Sequence, residues 1–501
     1  MTPRPALLLR DARLAEGAEP VDLFIEDGVL TRAAPSGAGA PGSADGSTGV
    51  EVRHLDGRHV VPGLWDNHVH FTQWTLTRRR LTLESATSAA EVARLVGERV
   101  ASRVDPDGMP VVGYGFRDAL WPDVPTAALL DSVAESVPVV LVSGDVHSCW
   151  LNTAALRVFG YPSGEGASGL LREEDSFEIV RRLQEVAAPT VDRWAAEAAT
   201  EAASRGVVGV VDMEMRWNLD DWVRRIGGGT VDLRVEFGTY RAELDRAIGM
   251  GLRSGQVVDG TDGLLTVGPF KVITDGSLNT RTAFCFDEYP GMGGSPDPKG
   301  LLTVPPDELV EAMSRATAGG LRCAVHAIGD HANRLALDAF EATGATGSVE
   351  HAQLLTEEDI PRFAALGVAA SMQPDHALDD RDVADAYWTG RTHLAFPVAS
   401  LLRSGARVVL GSDAPVSPLD PWITMAAAVW RTRHGLPAWH GEQAIDVAAA
   451  LAASSRHAVT VGAPADLVVL DADPYTASIE TFRSMPVAAT LLGGRFTHDS
   501  L

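Results

Sequence analysis

A chain of 501 residues with 45% hydrophobic and 22% charged content can bury a large core, and this composition excludes wholesale disorder. Its net charge of -25 makes a surface that repels nucleic acid and anionic membranes, so neither is an expected partner. The three cysteines, Cys149, Cys285 and Cys323, are odd in number and lack Cys-X-X-Cys spacing, which fits a reducing, cytoplasmic setting.

At the N-terminus the apolar run Ala6-Leu7-Leu8-Leu9 stops at Arg10, too short for a signal-peptide core, and no later run approaches the roughly 18 apolar residues of a membrane span. Up to about Arg58 the pattern is one of short strands and turns. In Val21–Gly28 apolar and polar residues nearly alternate before an Asp-Gly turn, whereas Ser36–Ser47 offers nothing to bury and reads as a loop. At the other end, Asp466–Asp471 and Ala488–Arg495 again read as strands. Residues 1–60 and 460–501 are therefore expected to form one small sheet module.

Between these ends, a strand running from Val61 to His70 is followed by seven further strand-like runs: 206–213, 233–239, 265–274, 321–328, 348–352, 368–373 and 406–413. Helical stretches separate several of them, among them Asp192–Arg205 and Pro306–Ala318, each followed by glycine. Eight strands alternating with helices predict an α/β fold, a (β/α)8 barrel over 61–459 whose chemistry sits at the C-terminal ends of the strands. The segment of about 71–188 is too long for one connection and has strands of its own at Val111–Phe116 and Val139–Ser143. It reads as an insertion after the first barrel strand, over the barrel mouth, although either strand could instead be counted into the barrel.

Titratable residues fall at the predicted strand ends. His68 and His70 share one face of the first strand, half of a divalent-metal site, although such a pair alone is commonly structural. Lys271 lies among apolar neighbours in Gly268–Gly276. Burial would lower its pKa and make it a nucleophile, a base or the seat of a carbamate, while a salt bridge to a nearby aspartate explains it equally well. His326 and His351 end two successive strands. Asp413 ends Arg407–Asp413, either as ligand and proton acceptor or as the cap of the next helix.

Taken with Pro62–His70, Asp145–Leu156, Lys271–Leu278, His326–Asp330, Glu350–Gln353 and Gly411–Pro415, which occur in the family's order over nearly the whole chain, the sequence resembles the amidohydrolase superfamily, in the branch of N-substituted formamide deformylase and YtcJ-like hydrolases. The resemblance implies a barrel with a β-sandwich from both chain ends and one or two divalent ions per chain. It implies that His68, His70 and Asp413 hold one ion and His326 and His351 the other, with carbamylated Lys271 between them. Zinc suits the imidazoles, with iron or manganese as alternatives. Two departures stand out: a shortened approach to Ala465, and Asn279 where glycine is common.

The activity so implied is hydrolysis of a non-peptide C–N bond by metal-activated hydroxide, with Asp413 as proton carrier; His147 is a candidate for contacting the substrate carbonyl or the oxyanion, with a structural hydrogen bond the alternative. The substrate is expected to be a small linear amide such as an N-substituted formamide. Trp74, Trp150, Trp388 and Arg281 are candidates for the substrate pocket, with core packing the alternative for the tryptophans; Asp275, Arg281 and Asp330 are candidates for orienting loops. The expected assembly is a homodimer. The rival activities are cyclic-amide hydrolysis or heterocycle deamination on the same scaffold, and the rival of another class is a catalytically silent, ligand-binding barrel.

Overall fold

The computed structural model describes residues 6–37, 50–83, 85–102, 109–118, 121–134, 136–144, 148–163, 168–183 and 186–501. These form two compact units, one of residues 1–74 with 195–501 and the other of residues 75–194.

The larger unit is built on an eight-stranded parallel sheet: β1 (Leu64–Val69), β2 (Val207–Asp212), β3 (Arg234–Tyr240), β4 (Leu265–Ile273), β5 (Cys323–Ala327), β6 (Gly347–His351), β7 (Ala369–Met372) and β8 (Val408–Leu410). Each strand pairs in parallel with its predecessor. Runs such as Val207-Val208-Gly209-Val210-Val211 are buried throughout, as strands covered on both faces must be. The sheet nearly closes into a barrel. At the seam the Asp413 N–H donates to the His68 carbonyl at 2.8 Å and the His70 N–H to the Ala414 carbonyl at 2.8 Å. All eight expected strands are present, and the helix Pro306–Ala318 begins at a proline and is capped by Gly319.

Both chain ends contribute to two further four-stranded sheets, one of residues 6–12, 21–26, 29–35 and 50–54, the other of residues 59–62, 467–470, 487–492 and 495–499. Leu7, Leu23, Ile25, Val60, Leu467 and Leu491 pack in their shared core. The Asp-Gly turn appears as expected, with Asp27 and Gly28 both at positive φ (48° and 80°), the geometry a tight hairpin needs. The Gly- and Ala-rich run lies, from residue 38 onward, outside the described residues. Asp466 ties this region to the barrel, accepting two bonds from Arg234 on β3 (2.9 and 3.1 Å) and one from the Gly493 N–H.

The smaller unit has its own five-stranded sheet, ordered Leu170–Arg172, Ser148–Leu151, Val139–Ser143, Val111–Phe116, Leu81–Thr82. The two strands read from the sequence belong to this sheet, so neither counts into the barrel. Ala89–Ala101, Ala127–Ala134 and Thr153–Phe159 are helices of the unit. Ser88 and Asn152 cap the first and last of these by accepting the N–H groups of Glu91 and Ala155. No helix among the described residues is long and apolar enough to cross a membrane.

Gly411 shows how tight the seam is. A Cβ there would lie 2.7 Å from the His68 nitrogen and 2.9 Å from Asp66 Oδ1, inside backbone contact distance. Gly411→Ala is expected to lower stability by about 1–3 kcal/mol through forced separation of β1 from β8, read as a lower urea midpoint; an unchanged midpoint would show that the seam yields freely.

Candidate metal centre

The strand ends bring all six expected metal-site positions, His68, His70, Lys271, His326, His351 and Asp413, into one cavity of about 640 Å³. The tightest group is His68, His351 and Asp413, whose ligand atoms lie within 4.8 Å of one another. His351 lies between the two expected ligand sets, its ring centroid 4.9 Å from that of His68 and 4.5 Å from that of His326. The Nε2 atoms of His68 and His70 lie 3.5 and 3.3 Å from Asp413 Oδ1. His351 and Asp413 take positive φ values of 73° and 58°, a backbone conformation side chains rarely adopt, so the chain stores strain where it presents these two groups.

The hydrogen bonds behind the imidazoles fix which nitrogen is free. His68 Nδ1 lies 2.6 Å from Glu350 Oε2, and His351 Nδ1 lies 2.8 Å from Gln373 Oε1. A carboxylate and an amide oxygen only accept, so both rings carry the proton on Nδ1 and turn the Nε2 lone pair toward Asp413. Ser348 Oγ donates to the other oxygen of Glu350. This carboxylate-to-imidazole backing is the arrangement that orients and strengthens histidine ligands.

Burial sets the charges. It lowers the pKa of His68 and His351 and, with Lys271 nearby, pushes His326 down to about 3, so the rings are neutral. Burial also lowers Lys271, against the pull of Glu350 and Asp413. Burial opposes ionisation of both carboxyls, yet the hydrogen bond from His68, with Lys271 and Ser348 beside it, holds Glu350 at about 2, and the surrounding histidines, His70 hydrogen-bonded to it among them, hold Asp413 well below the usual carboxylate range. Lys271 Nζ, His70 Nδ1 and His326 Nε2 are buried without a hydrogen-bond partner among the described residues. The ligand atoms of His68, His351 and Asp413, with the unpartnered Lys271 Nζ in the same cavity, fit a divalent cation, which would offset the cost of burying them.

Asp275 and Asp330 hold loops. Asp275 accepts the N–H groups of Phe284, Ile328 and Gly329. Asp330 accepts the Phe286 N–H and pairs with Arg391 at 2.6 Å. The substrate-pocket candidates need correction. Trp74 is buried in the core against Phe71, with ring centroids 5.5 Å apart, and Trp388 is fully buried as well. Trp150 is a core residue of the smaller unit, its indole N–H spent on the Thr126 carbonyl. In each case the large apolar ring gains more from packing than from lining an open cavity. Arg281 stacks its guanidinium over the Tyr387 ring, 5.4 Å from the centroid, and is not among the cavity-lining residues, whereas Ser277 and Asn279 of the same loop are. His147 lies outside the described residues.

Other residues complete the cavity. Tyr240, the last residue of β3 and one beyond the strand end expected from sequence, donates its hydroxyl to the Met213 carbonyl at 2.7 Å. His376, four residues past β7, is buried with its ring parallel to that of His351 at 6.4 Å, and its Nε2 has no partner among the described residues. Asn279 donates to Asp380 at 2.6 Å and lines the wall with it. A strand-end tyrosine and a histidine just beyond a strand were signals available in the sequence.

The fold and the cluster together define a (β/α)8 barrel with a site at its strand ends that is competent to bind a metal. The sequence model of the amidohydrolase family matches residues 51–498, and the chain belongs to that family. It is 28% identical to the protein LONG AFTER FAR-RED 3 of Arabidopsis thaliana, over 88% of this chain and 82% of that one. It is 25% identical to the putative amidohydrolase YtcJ of Bacillus subtilis over 97% of each chain, and 25% identical to an N-substituted formamide deformylase of Arthrobacter pascens over 90% of each. Its fold is similar to the crystal structure of an uncharacterized metal-dependent hydrolase from Pyrococcus horikoshii OT3, with a TM-score of 0.74 and 24% identity over 95% of this chain and 99% of that one.

Two outcomes are expected. Glu350→Gln weakens metal binding about 10–100-fold in equilibrium titration, because the ring of His68 loses its anionic partner; unchanged affinity would remove Glu350 from the site. The second concerns the metal-free protein. Burial pushes His326 from the ordinary imidazole value of 6.5 down to about 3 in the folded chain, so between these values the unfolded chain binds the extra proton. The stability tied to neutral His326 is present above 6.5 and lost as pH falls toward 3. His326→Gln should therefore lose less stability than the unsubstituted chain between about pH 7 and about pH 4.5, read from urea midpoints; equal losses would contradict the shift.

Proposed function

We propose that this chain is a metal-dependent hydrolase of the C–N bond in small linear amides, with N-substituted formamides as the leading substrate class. The observation that carries this reading is the convergence of two tautomer-fixed Nε2 lone pairs, from His68 and His351, on the ionised carboxylate of Asp413. The similarity over 90% of the chain to a protein named N-substituted formamide deformylase supports the choice of amide.

His68, His70, His351 and Asp413 would hold one divalent ion, zinc by the preference of imidazole donors, and His326 with Lys271 would complete a second. Such an ion, when bound, supplies Lewis acidity toward a carbonyl oxygen and acidity toward water. Burial lowers the pKa of Lys271, which favours addition of carbon dioxide to its free-amine form: an N–C bond forms, a proton leaves, and the resulting carbamate brings an anionic oxygen where a bare amine has no partner among the described residues. Asp413 Oδ1 takes the proton of the attacking water and returns it to the amide nitrogen as the C–N bond breaks. His376, in its Nε2–H tautomer, donates to the substrate carbonyl oxygen as negative charge develops there, and the Tyr240 oxygen, its own proton committed to Met213, accepts the substrate N–H. The three cysteines, all buried and unpaired, suit a reducing interior, and we assign the enzyme to the cytoplasm.

With zinc-loaded protein and a panel of N-substituted formamides, formate and free amine are expected in equal amounts. Asp413→Asn should lower kcat by about 10²–10⁴-fold and His376→Ala by about 10²–10³-fold, the latter with metal content unchanged. Ammonia release from heterocycles with no formate from any formamide would overturn the substrate class, and full activity in Asp413→Asn would overturn the proton path.

A further inference from the structure

The smaller unit contains a second cavity, of about 360 Å³, built wholly from residues 76–194. Four arginines line it: Arg79, Arg80, Arg99 and Arg182. In a chain of net charge -25, four guanidinium groups around one cavity are a local reversal of sign that needs a physical reason.

The arginines are held by aromatic faces and carbonyls. The guanidinium of Arg79 lies 4.4 Å from the Trp194 ring centroid, that of Arg80 lies 4.4 Å from the Tyr114 ring and that of Arg182 lies 4.6 Å from the Phe159 ring. Arg182 also donates to the Phe159 carbonyl at 2.9 Å, and Arg99 to the Arg79 carbonyl at 3.3 Å. Arg80, Arg99 and Arg182 are all half-buried, and no ion pair joins any of them to a carboxylate among the described residues. Stacking occupies a guanidinium face and leaves its edge N–H groups available, the geometry that recognises a carboxylate. Arg80, Arg99 and Arg182 gather like charge in a partly desolvated cavity, with Glu178 near Arg182 as a partial counter-charge, and an entering carboxylate relieves the repulsion that remains.

The rest of the wall is apolar, with Leu76, Val112 and Leu183 beside the aromatic rings. An inorganic anion would satisfy the arginines and leave this surface wet; an apolar molecule would cover the surface and leave the charges unopposed. We propose that this cavity binds a small organic monocarboxylate with an apolar tail, its carboxylate on Arg80, Arg99 and Arg182 and its tail along the apolar wall. The site uses no residue of the metal centre and stands independently of the hydrolase reading.

The test is calorimetric titration of the full-length protein with decanoate, decanol and inorganic phosphate as separate probes. Decanoate is expected to bind once per chain and more weakly as salt rises, with decanol and phosphate each at least about tenfold weaker. The double substitution Arg99→Gln with Arg182→Gln should weaken decanoate about tenfold or more, since two charge-assisted bonds to the carboxylate are lost. Should that variant fail to fold, Val158→Trp, at an exposed position on the rim, obstructs the cavity and should abolish binding. Decanol binding as well as decanoate would reduce the cavity to an apolar crevice, and phosphate binding as well would reduce it to a bare anion site. Decanoate affinity unchanged in a folded double variant or in Val158→Trp would place the ligand elsewhere. Any of these results overturns the proposal.

Discussion

The seam where the last barrel strand meets the first is the constraint on which the site depends. Asp66 accepts the main-chain N–H groups of Ser412 and His68, and its carboxyl, pushed up to about 7 by burial, remains inside the protein because those donors satisfy it. Asn67 donates to the Leu410 carbonyl at 2.7 Å across the same junction. With Gly411 permitting close approach, these bonds set the register that delivers His68, His70 and Asp413 to one point, although more than 340 residues of chain separate them. The left-handed backbone at Asp413 is tolerated because both flanks are tied into the seam.

The second determinant is the treatment of the imidazoles. A histidine in water is ambiguous in both charge and tautomer near neutral pH. Here burial removes the first ambiguity, and Glu350 and Gln373 remove the second. The result is a preorganised set of lone pairs facing an anion, whose cost in desolvation a cation would offset. Lys271 fits the same logic, since an amine at 1% exposure without a hydrogen-bond partner among the described residues is poorly suited to remain a cation.

Much of this was legible in the sequence, for a physical reason: strands of a parallel barrel are covered on both faces and read as near-continuous apolar runs, so polar residues at their ends stand out. His326 after Cys323-Ala324-Val325 and Asp413 after Val408-Val409-Leu410 are such cases. Tyr240 at the end of β3 and His376 just past β7 are placed where the sequence pattern points, but which polar residues there enter the cavity depends on the local backbone path, which periodicity does not encode. For the tryptophans both a pocket and a core position are open from sequence, and only the packing places Trp74, Trp150 and Trp388 in cores. In the smaller unit, Val111–Phe116 and Val139–Ser143 were readable as strands, whereas Leu81–Thr82 and Leu170–Arg172, two and three residues long, fall below any repeat.

The convergence of His68, His351 and Asp413 on a single cation is the central claim, and anomalous diffraction from crystals of the zinc-loaded protein, collected on both sides of the zinc edge, tests it most directly. An anomalous peak is expected at about 2.0–2.2 Å from Nε2 of His68, Nε2 of His351 and a carboxylate oxygen of Asp413. A peak confined to surface residues, with these three side chains empty of metal, would contradict it.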